Sequence, residues 1–162
     1  MLAELYQSSG AKFVTLANRL GVSRGSLSTS LGDLIDQGLV ARNTGYGHPL
    51  RPEYLLTENG KGLGEHCLRL AKLVERRQEA DLAYRKWTLP LVAALGADVR
   101  RFGELREDLG HEATPRALTL GLKSMLSVGW ARRSVIDDYP PTAGYALLNK
   151  GRRVLDCVAP LC

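Results

Sequence analysis

Apolar residues recur every three or four positions along the first third of the chain, a spacing that predicts short amphipathic helices. Two successive helices carry them at Phe13, Leu16, Ala17 and Leu20, and then at Leu27, Leu31, Leu34 and Ile35. Gly21 is typical of the end of the first helix, and Ser23 is a favourable N-cap for the second. Residues 39–42 and 52–56 indicate two strands, and Thr57 is expected to cap a helix that begins at Glu58.

This pattern of helices and strands occurs a second time in the chain. Matching residues lie 91 positions apart at Leu27 and Leu118, Leu31 and Leu122, Gly38 and Gly129, Arg42 and Arg133, Tyr54 and Tyr145, and Gly60 and Gly151. Upstream the separation is 89 positions, as for Gly21 and Gly110, which indicates one two-residue insertion between the copies. A repeat of this length is typical of a duplicated domain and not of a short-period solenoid. We therefore predict module 1 over residues 1–64 and module 2 over residues 86–162.

Module 2 begins its third helix with a strong local signal. Thr114 is expected as the N-cap, with Pro115 in the first helical position. The apolar face of that helix is predicted at Leu118, Leu122, Met125 and Leu126. Residues 130–135 and 144–148 are the second pair of predicted strands.

The segment between the modules, residues 65–85, is helical in pattern and heavily charged. This favours one long connecting helix, bent or straight, with a solvated outer face. The charged residues assigned to that face are Arg76, Arg77, Glu79, Asp81 and Arg85, and the pattern continues to Lys86 at the start of module 2. A dimerisation helix or a basic DNA-contact helix is the less favoured interpretation.

The order of the predicted elements is that of a winged helix-turn-helix: two helices, a glycine-ended turn, a polar-faced helix and a hairpin. Module 2 resembles the HxlR class of the MarR-like bacterial regulators in Lys86-Trp87-Thr88-Leu89, Arg101-Phe102-Gly103-Glu104-Leu105-Arg106, Thr114-Pro115-Arg116-Ala117-Leu118 and Tyr139-Pro140-Pro141. Module 1 is similar in Leu20-Gly21-Val22-Ser23 and in His48-Pro49-Leu50-Arg51-Pro52-Glu53-Tyr54. The resemblance implies a mainly α protein with small β-hairpin wings. Two winged helix-turn-helix modules in one chain would imitate the two-fold dimer that such regulators normally form.

A recognition helix reads base edges in the major groove with its N-terminal side chains, while the wing contacts the backbone or the minor groove. In module 1 the candidate DNA contacts are Ser23, Arg24, Ser26, Thr29 and Ser30 on the helix, and Arg42, Tyr46, His48 and Arg51 on the wing. An arginine suits a bidentate bond to guanine, whereas hydroxyls suit phosphates, which position the protein without specifying sequence. The alternative is that the serines and threonines only keep an exposed helix soluble.

Module 2 is expected to make the weaker DNA contact. Its candidate residues are Thr114, Arg116, Thr119 and Lys123 on the helix and Arg132 and Arg133 on the wing. Leu120 and Gly121 lie where related proteins usually carry polar or basic residues. Asp137 and Asp138 in the wing would repel phosphate, although salt screens exposed charges over about 8 Å.

The composition permits this function without requiring it. The 162 residues include 22 Lys and Arg against 17 Asp and Glu, for a net charge of +5. Cys67, Cys157 and Cys162 form no CxxC pair, and neither a signal peptide nor a membrane-spanning apolar run is recognisable, so we expect a cytoplasmic protein. We predict no metal, no cofactor and no enzymatic activity, because neither zinc-type ligand spacing nor a nucleophile or phosphate-loop motif is present.

The predicted partner is double-stranded DNA, bound by a monomer that acts as a pseudo-dimer or by a homodimer. An imperfect inverted repeat with half-sites about one helical turn apart would suit two unequal modules. The alternative function is binding of a small molecule, as effector or as sequestered toxic compound, in an aromatic cleft between the modules. Trp87 and Trp130 are the candidate cleft residues, although both are also plausible core residues.

Overall fold

The computed structural model describes residues 1–43, 53–74, 76–110 and 112–161. The chain divides into two compact units, Met1–Ala71 (unit 1) and Lys72–Cys162 (unit 2). The wing residues Tyr46, His48 and Arg51, together with Cys162, lie outside the described residues.

Unit 1 alternates short helices with a small sheet. In chain order it contains α1 (Leu2–Ser8), β1 (Ala11–Lys12), α2 (Phe13–Leu20), α3 (Arg24–Asp36), β2 (Val40–Asn43), β3 (Glu53–Leu56) and α4 (Glu58–Leu73), whose last residues cross into unit 2. The antiparallel sheet has the order β1-β3-β2.

Unit 2 repeats this order after one additional helix. It contains α5 (Arg77–Ala83), α6 (Thr88–Leu95), β4 (Arg100–Arg101), α7 (Phe102–Asp108), α8 (Pro115–Ser127), β5 (Ala131–Ile136), β6 (Thr142–Leu147) and α9 (Asn149–Val158), followed by a 3₁₀ turn at Ala159–Leu161. Its antiparallel sheet has the equivalent order β4-β6-β5. The protein is therefore mainly helical and consists of two winged helix-turn-helix modules, as the repeat predicted.

Local capping chemistry explains where both recognition helices begin. Ser23 Oγ accepts a hydrogen bond from the backbone N–H of Ser26 at 3.2 Å, and Thr114 Oγ1 accepts one from Ala117 at 3.2 Å. Each bond satisfies a backbone donor that has no partner inside the first turn of the helix. Gly21 adopts a left-handed φ of 62°, which confirms the predicted end of α2.

One face of each recognition helix is buried at equivalent positions. Leu27 and Leu31 of α3 lie in the core of unit 1, and Leu118 and Leu122 of α8 are buried in unit 2. The opposite face of both helices is thus left to solvent, which is the amphipathic arrangement that the sequence predicted.

A close backbone approach fixes the helix that follows each wing. The N–H of Thr57 donates to the carbonyl of Leu39 at 3.1 Å, and the N–H of Leu148 donates to Trp130 at 2.8 Å. A Cβ added at Gly60 would lie 1.9 Å from the Leu39 oxygen, and one at Gly151 would lie 2.1 Å from the Trp130 oxygen. The repeated glycines are therefore the residues that let α4 and α9 approach these carbonyls.

Each sheet has three strands, whereas the sequence predicted a two-stranded hairpin. The additional strands β1 and β4 contain two residues each, so they are too short to show the alternation of a strand.

The segment expected to form one connecting helix, residues 65–85, contains the end of α4 and the whole of α5, with a break between them. A continuous helix would have placed Gln78 and Asp81 in line with the buried Leu70 and Val74, whereas after the break Leu82 is the next buried apolar residue among those described.

Glu79 corrects the expectation that the charged residues of this segment form a solvated face. Its side chain is only 6% exposed, and its two carboxylate oxygens accept hydrogen bonds from Lys150 Nζ at 2.7 and 2.6 Å. The pair joins α5 to α9 within unit 2.

Candidate nucleic-acid interface

The outer face of α8 carries three of the predicted DNA contacts together. Arg116, Thr119 and Lys123 are all exposed, and their spacing of three and four residues places them on one side of the helix. No aspartate or glutamate occurs in α8, and within the described part of the chain neither Arg116 nor Lys123 has an ion-pair partner. This face is therefore available to an anionic surface.

The hydroxyl groups of the two recognition helices divide into two kinds. Ser23 and Thr114 accept hydrogen bonds as N-caps, so their hydroxyl hydrogens remain available to a phosphate. Thr29 donates its hydroxyl hydrogen to the carbonyl of Gly25 at 3.2 Å, and Thr119 donates to Pro115 at 2.8 Å. A phosphate offers only acceptors, so in this conformation the caps are the better phosphate ligands.

Arg133 lies beside the recognition helix of its own module. It lines a pocket of about 320 Å³ together with Phe102, Thr119, Leu122, Lys123, Leu126 and Tyr145. Arg133 pairs with Tyr145 in the register of β5 and β6, where successive residues point to opposite faces of a sheet. Arg132 therefore points away from the α8 side, and the two arginines do not form one contact surface.

The acidic residues of the second wing differ in their surroundings. Asp138 forms an ion pair with Arg101, which precedes α7, whereas Asp137 is exposed without an ion pair among the described residues. Sequence reasoning missed this role of Arg101, although the residue belongs to the motif that carries the family resemblance.

Arg101 also takes part in the N-terminal turn of α7. Its backbone N–H donates to Glu104 Oε2 at 2.8 Å, and that bond, followed by the side-chain hydrogen bond from Arg100, holds the pKa of Glu104 below its usual value. The carboxylate thus stays ionised and helps to fix the start of α7.

In unit 1 the described part of the interface has fewer cations. Arg24, Ser26 and Thr29 are exposed on α3, Ser30 is half-buried, and Arg42 is exposed on β2 opposite Tyr54. Two exposed carboxylates, Asp33 and Asp36, lie in the last turns of α3. Any anionic ligand of α3 would therefore be attracted to its N-terminal half.

The two candidate cleft tryptophans have different surroundings. Trp130 is fully buried in unit 2, and its indole Nε1 has no hydrogen-bond partner among the described residues. Its ring is therefore not exposed on the wall of an open cleft, which corrects that assignment. Trp87 is half-buried at the start of α6, with Lys86 Nζ 4.9 Å from its ring centroid.

The described residues provide neither a metal-binding cluster nor a membrane-spanning helix. They contain no group of three or more His, Cys, Asp or Glu side chains arranged to hold a metal ion. None of their helices is long and apolar enough to cross a membrane.

Comparison with known proteins identifies the module. The model of the HxlR-like helix-turn-helix family matches the chain twice, over residues 1–81 and 82–162. The chain belongs to this family. The division between the two HxlR-like matches falls inside α5, whereas the two compact units divide near the end of α4.

A curated relative matches part of this HxlR-like chain. An uncharacterized HTH-type transcriptional regulator from Synechocystis sp. is 28% identical over 88 residues, covering 54% of this chain and 64% of the relative. The chain thus spans less than two thirds of that protein.

Two solved structures cover most of their own length in the match. One, described as a MarR-family regulator of Porphyromonas gingivalis, is 24% identical over 52% of this chain and 82% of its own, with a TM-score of 0.48. Another, described as an HxlR-family factor of Thermoplasma volcanium, is 16% identical over 75% and 91%, with a TM-score of 0.44.

Proposed function

We propose that this HxlR-like protein binds double-stranded DNA as a transcriptional regulator, each module placing its recognition helix in a major groove. The observation that supports this most directly is the outer face of α8. It presents Arg116, Thr119 and Lys123, it lacks acidic residues along the whole helix, and Arg133 of the wing lies beside it. A helix of this kind complements both the charge and the width of the groove.

The side chains would have different tasks. Thr114 and Ser23 donate hydroxyl hydrogens to phosphates from the helix N-termini, where the helix dipole also favours an anion. Arg116 and Arg24 lie within the first turn and reach base edges, for which the bidentate bond of arginine to guanine is the strongest contact. Lys123, Arg133 and Arg42 neutralise backbone phosphates.

The test is binding to a labelled duplex from the upstream region of the gene at several salt concentrations. We expect affinity that falls steeply with salt and exceeds the affinity for scrambled DNA. Arg116→Ala should weaken binding by about 1–3 kcal/mol and relax specificity at one base pair. Lys123→Ala should make the slope of log K against log salt shallower by about one.

Arg152→Ala is the matched control for these two variants. Arg152 is an exposed cation on α9 without an ion pair among the described residues, and it belongs to the helix that follows the wing and not to α8. Equal loss of affinity in all three variants, or equal binding of specific and scrambled DNA by the native protein, would contradict the proposal.

A second candidate function is binding of a small effector, and one feature of unit 2 favours it. The pocket of about 320 Å³ between α8 and the sheet is lined by two cations, Lys123 and Arg133, and two rings, Phe102 and Tyr145. A small aromatic anion would fit that chemistry and would compete with phosphate for both cations. Adding benzoate to the protein–DNA complex tests this: release of DNA that sodium chloride at equal ionic strength does not cause would support an effector site.

A further inference from the structure

The side chain of Leu120 is exposed on α8, although an apolar side chain that faces only water does not stabilise a helix. It is 51% exposed, midway along the outer face of α8. Arg116 lies four residues before it and Lys123 three residues after it, so a leucine is flanked by two cations on the same face.

An exposed leucine is common in proteins and by itself indicates nothing. Its position on this helix is the informative part. If α8 enters a major groove, Leu120 lies at the centre of the contact and loses its water to the base edges. Those edges present hydrogen-bond donors and acceptors at every base pair, and the only apolar group among them is the C5-methyl group of thymine.

We propose that Leu120 reads a 5-methylpyrimidine, in ordinary DNA a thymine, in the half-site bound by module 2. This inference rests on the proposed DNA-binding function and names the base that the helix centre selects. Contact between the leucine side chain and the methyl group removes apolar surface of both from water, whereas any other base would leave Leu120 against polar atoms.

Module 1 carries a smaller apolar group at the equivalent position of its recognition helix. Thr29 lies 91 positions before Leu120 and is therefore its counterpart in the repeat. Its hydroxyl is engaged with the carbonyl of Gly25 at 3.2 Å, so the remaining methyl group is the part that a base methyl would contact. Both half-sites should then contain thymine at corresponding positions, with weaker selection in the half bound by module 1.

The experiment removes the thymine methyl group from the DNA and, in a separate variant, the Leu120 side chain from the protein. A duplex that binds the full-length protein is selected from a random pool, and each thymine is replaced singly by deoxyuridine, which differs only by that methyl group. At one position the native protein should bind about fourfold more weakly, the factor expected for one buried methyl group. Leu120→Ala should bind the parent duplex more weakly and show no further loss at that position.

Two further variants distinguish loss of the contact with the methyl group from a general disturbance of the recognition helices. Leu120→Met keeps an apolar side chain and should retain the sensitivity to deoxyuridine. Thr29→Ser removes one methyl group and keeps the hydroxyl, so it should abolish a smaller sensitivity in the other half-site. Leu120→Ala should leave the salt dependence of binding unchanged, because it removes no phosphate contact, whereas Lys123→Ala should change it.

The outcomes distinguish the inference from the function on which it rests. If selection yields no duplex that binds better than random DNA, the regulatory function itself is overturned. Suppose instead that specific binding is found, but that Leu120→Ala loses as much affinity as the native protein at every thymine replaced by deoxyuridine. The proposed contact of Leu120 with a methyl group is then wrong, and the proposed regulatory function is unaffected. Retained sensitivity in Leu120→Met together with its loss in Leu120→Ala is the expected result.

Discussion

The ion pair between Arg101 and Asp138 reduces the repulsion between the acidic second wing and a DNA phosphate. Both side chains are 45% exposed, so the pair adds little to stability, and its effect is on the charge that an approaching phosphate meets. Asp137, one residue earlier, is exposed and has no such partner among the described residues. The two neighbouring carboxylates are therefore a natural comparison.

We predict that Asp138→Asn tightens DNA binding more than Asp137→Asn does. Asp137→Asn removes one repulsive charge. Asp138→Asn removes one and also releases Nη2 of Arg101 to contact a phosphate, while Nη1 keeps its longer ion pair with Glu104 at 3.8 Å. Titration of labelled duplex by fluorescence anisotropy measures the difference, which should shrink as salt is raised. The double change Asp137→Ala with Asp138→Ala should also tighten binding; unchanged affinity in all three variants would mean that this wing does not approach DNA.

The glycines of α4 give a residue-scale prediction about stability. Gly60→Ala places a methyl group against the Leu39 carbonyl, which cannot move without breaking its bond to Thr57, so we expect a loss of about 3 kcal/mol or more. Gly62 lies on the same helix with open space around its Cα, and Gly62→Ala should stabilise by about 0.5–1 kcal/mol. Urea unfolding measures both, and a loss from Gly62→Ala as large as that from Gly60→Ala would contradict the close-approach explanation.

At the scale of elements, the Glu79–Lys150 pair fixes α5 against α9. Lys150 is 33% exposed, so water can partly solvate its charge when the carboxylate is removed. We therefore expect Glu79→Ala to destabilise unit 2 by about 1–2 kcal/mol, less than the loss for a fully buried pair. Hydrogen exchange should also speed up at the amides of α5.

Asp81→Ala supplies the control for that change. Asp81 is an exposed carboxylate on the same helix, and within the described residues it has no ion pair, so its removal should alter stability by no more than about 0.5 kcal/mol. Equal effects of Glu79→Ala and Asp81→Ala would show that α5 owes its position to contacts other than the ion pair.

These elements also show what sequence reasoning is able to predict. Ser23, Thr114 and Gly21 act on backbone groups of their own turn, so their roles follow from local sequence. The burial of Glu79 depends on Lys150, which lies 71 residues away, and the ion pair of Asp138 depends on Arg101, 37 residues away. Periodicity indicated which face of α8 is exposed. That Arg132 and Arg133 point to opposite faces of the sheet could be assigned only once the register of β5 with β6 was known.

At the scale of the whole molecule, the two modules have diverged in charge. Unit 1 contains seven Lys and Arg residues against six Asp and Glu, whereas unit 2 contains fifteen against eleven. On the recognition helices, Gly25 and Gly32 of α3 occupy the positions of Arg116 and Lys123 of α8. Electrostatic attraction to DNA should therefore come mainly from unit 2, which reverses the expectation from the sequence that module 2 makes the weaker contact. The two half-sites of an operator should differ in sequence.

One chain with two modules should bind one operator by engaging both half-sites at once. Joining two binding events in one chain raises affinity by about 10²–10⁴ when the geometry allows both. We predict that the full operator binds that much more tightly than either half-site alone, with one chain per duplex by native mass spectrometry. Inserting five base pairs between the half-sites turns them to opposite sides of the duplex and should remove the gain, whereas scrambling the spacer at constant length should not. Two chains on a symmetric operator, with no loss on insertion, would instead indicate that each chain reads one half-site with one module.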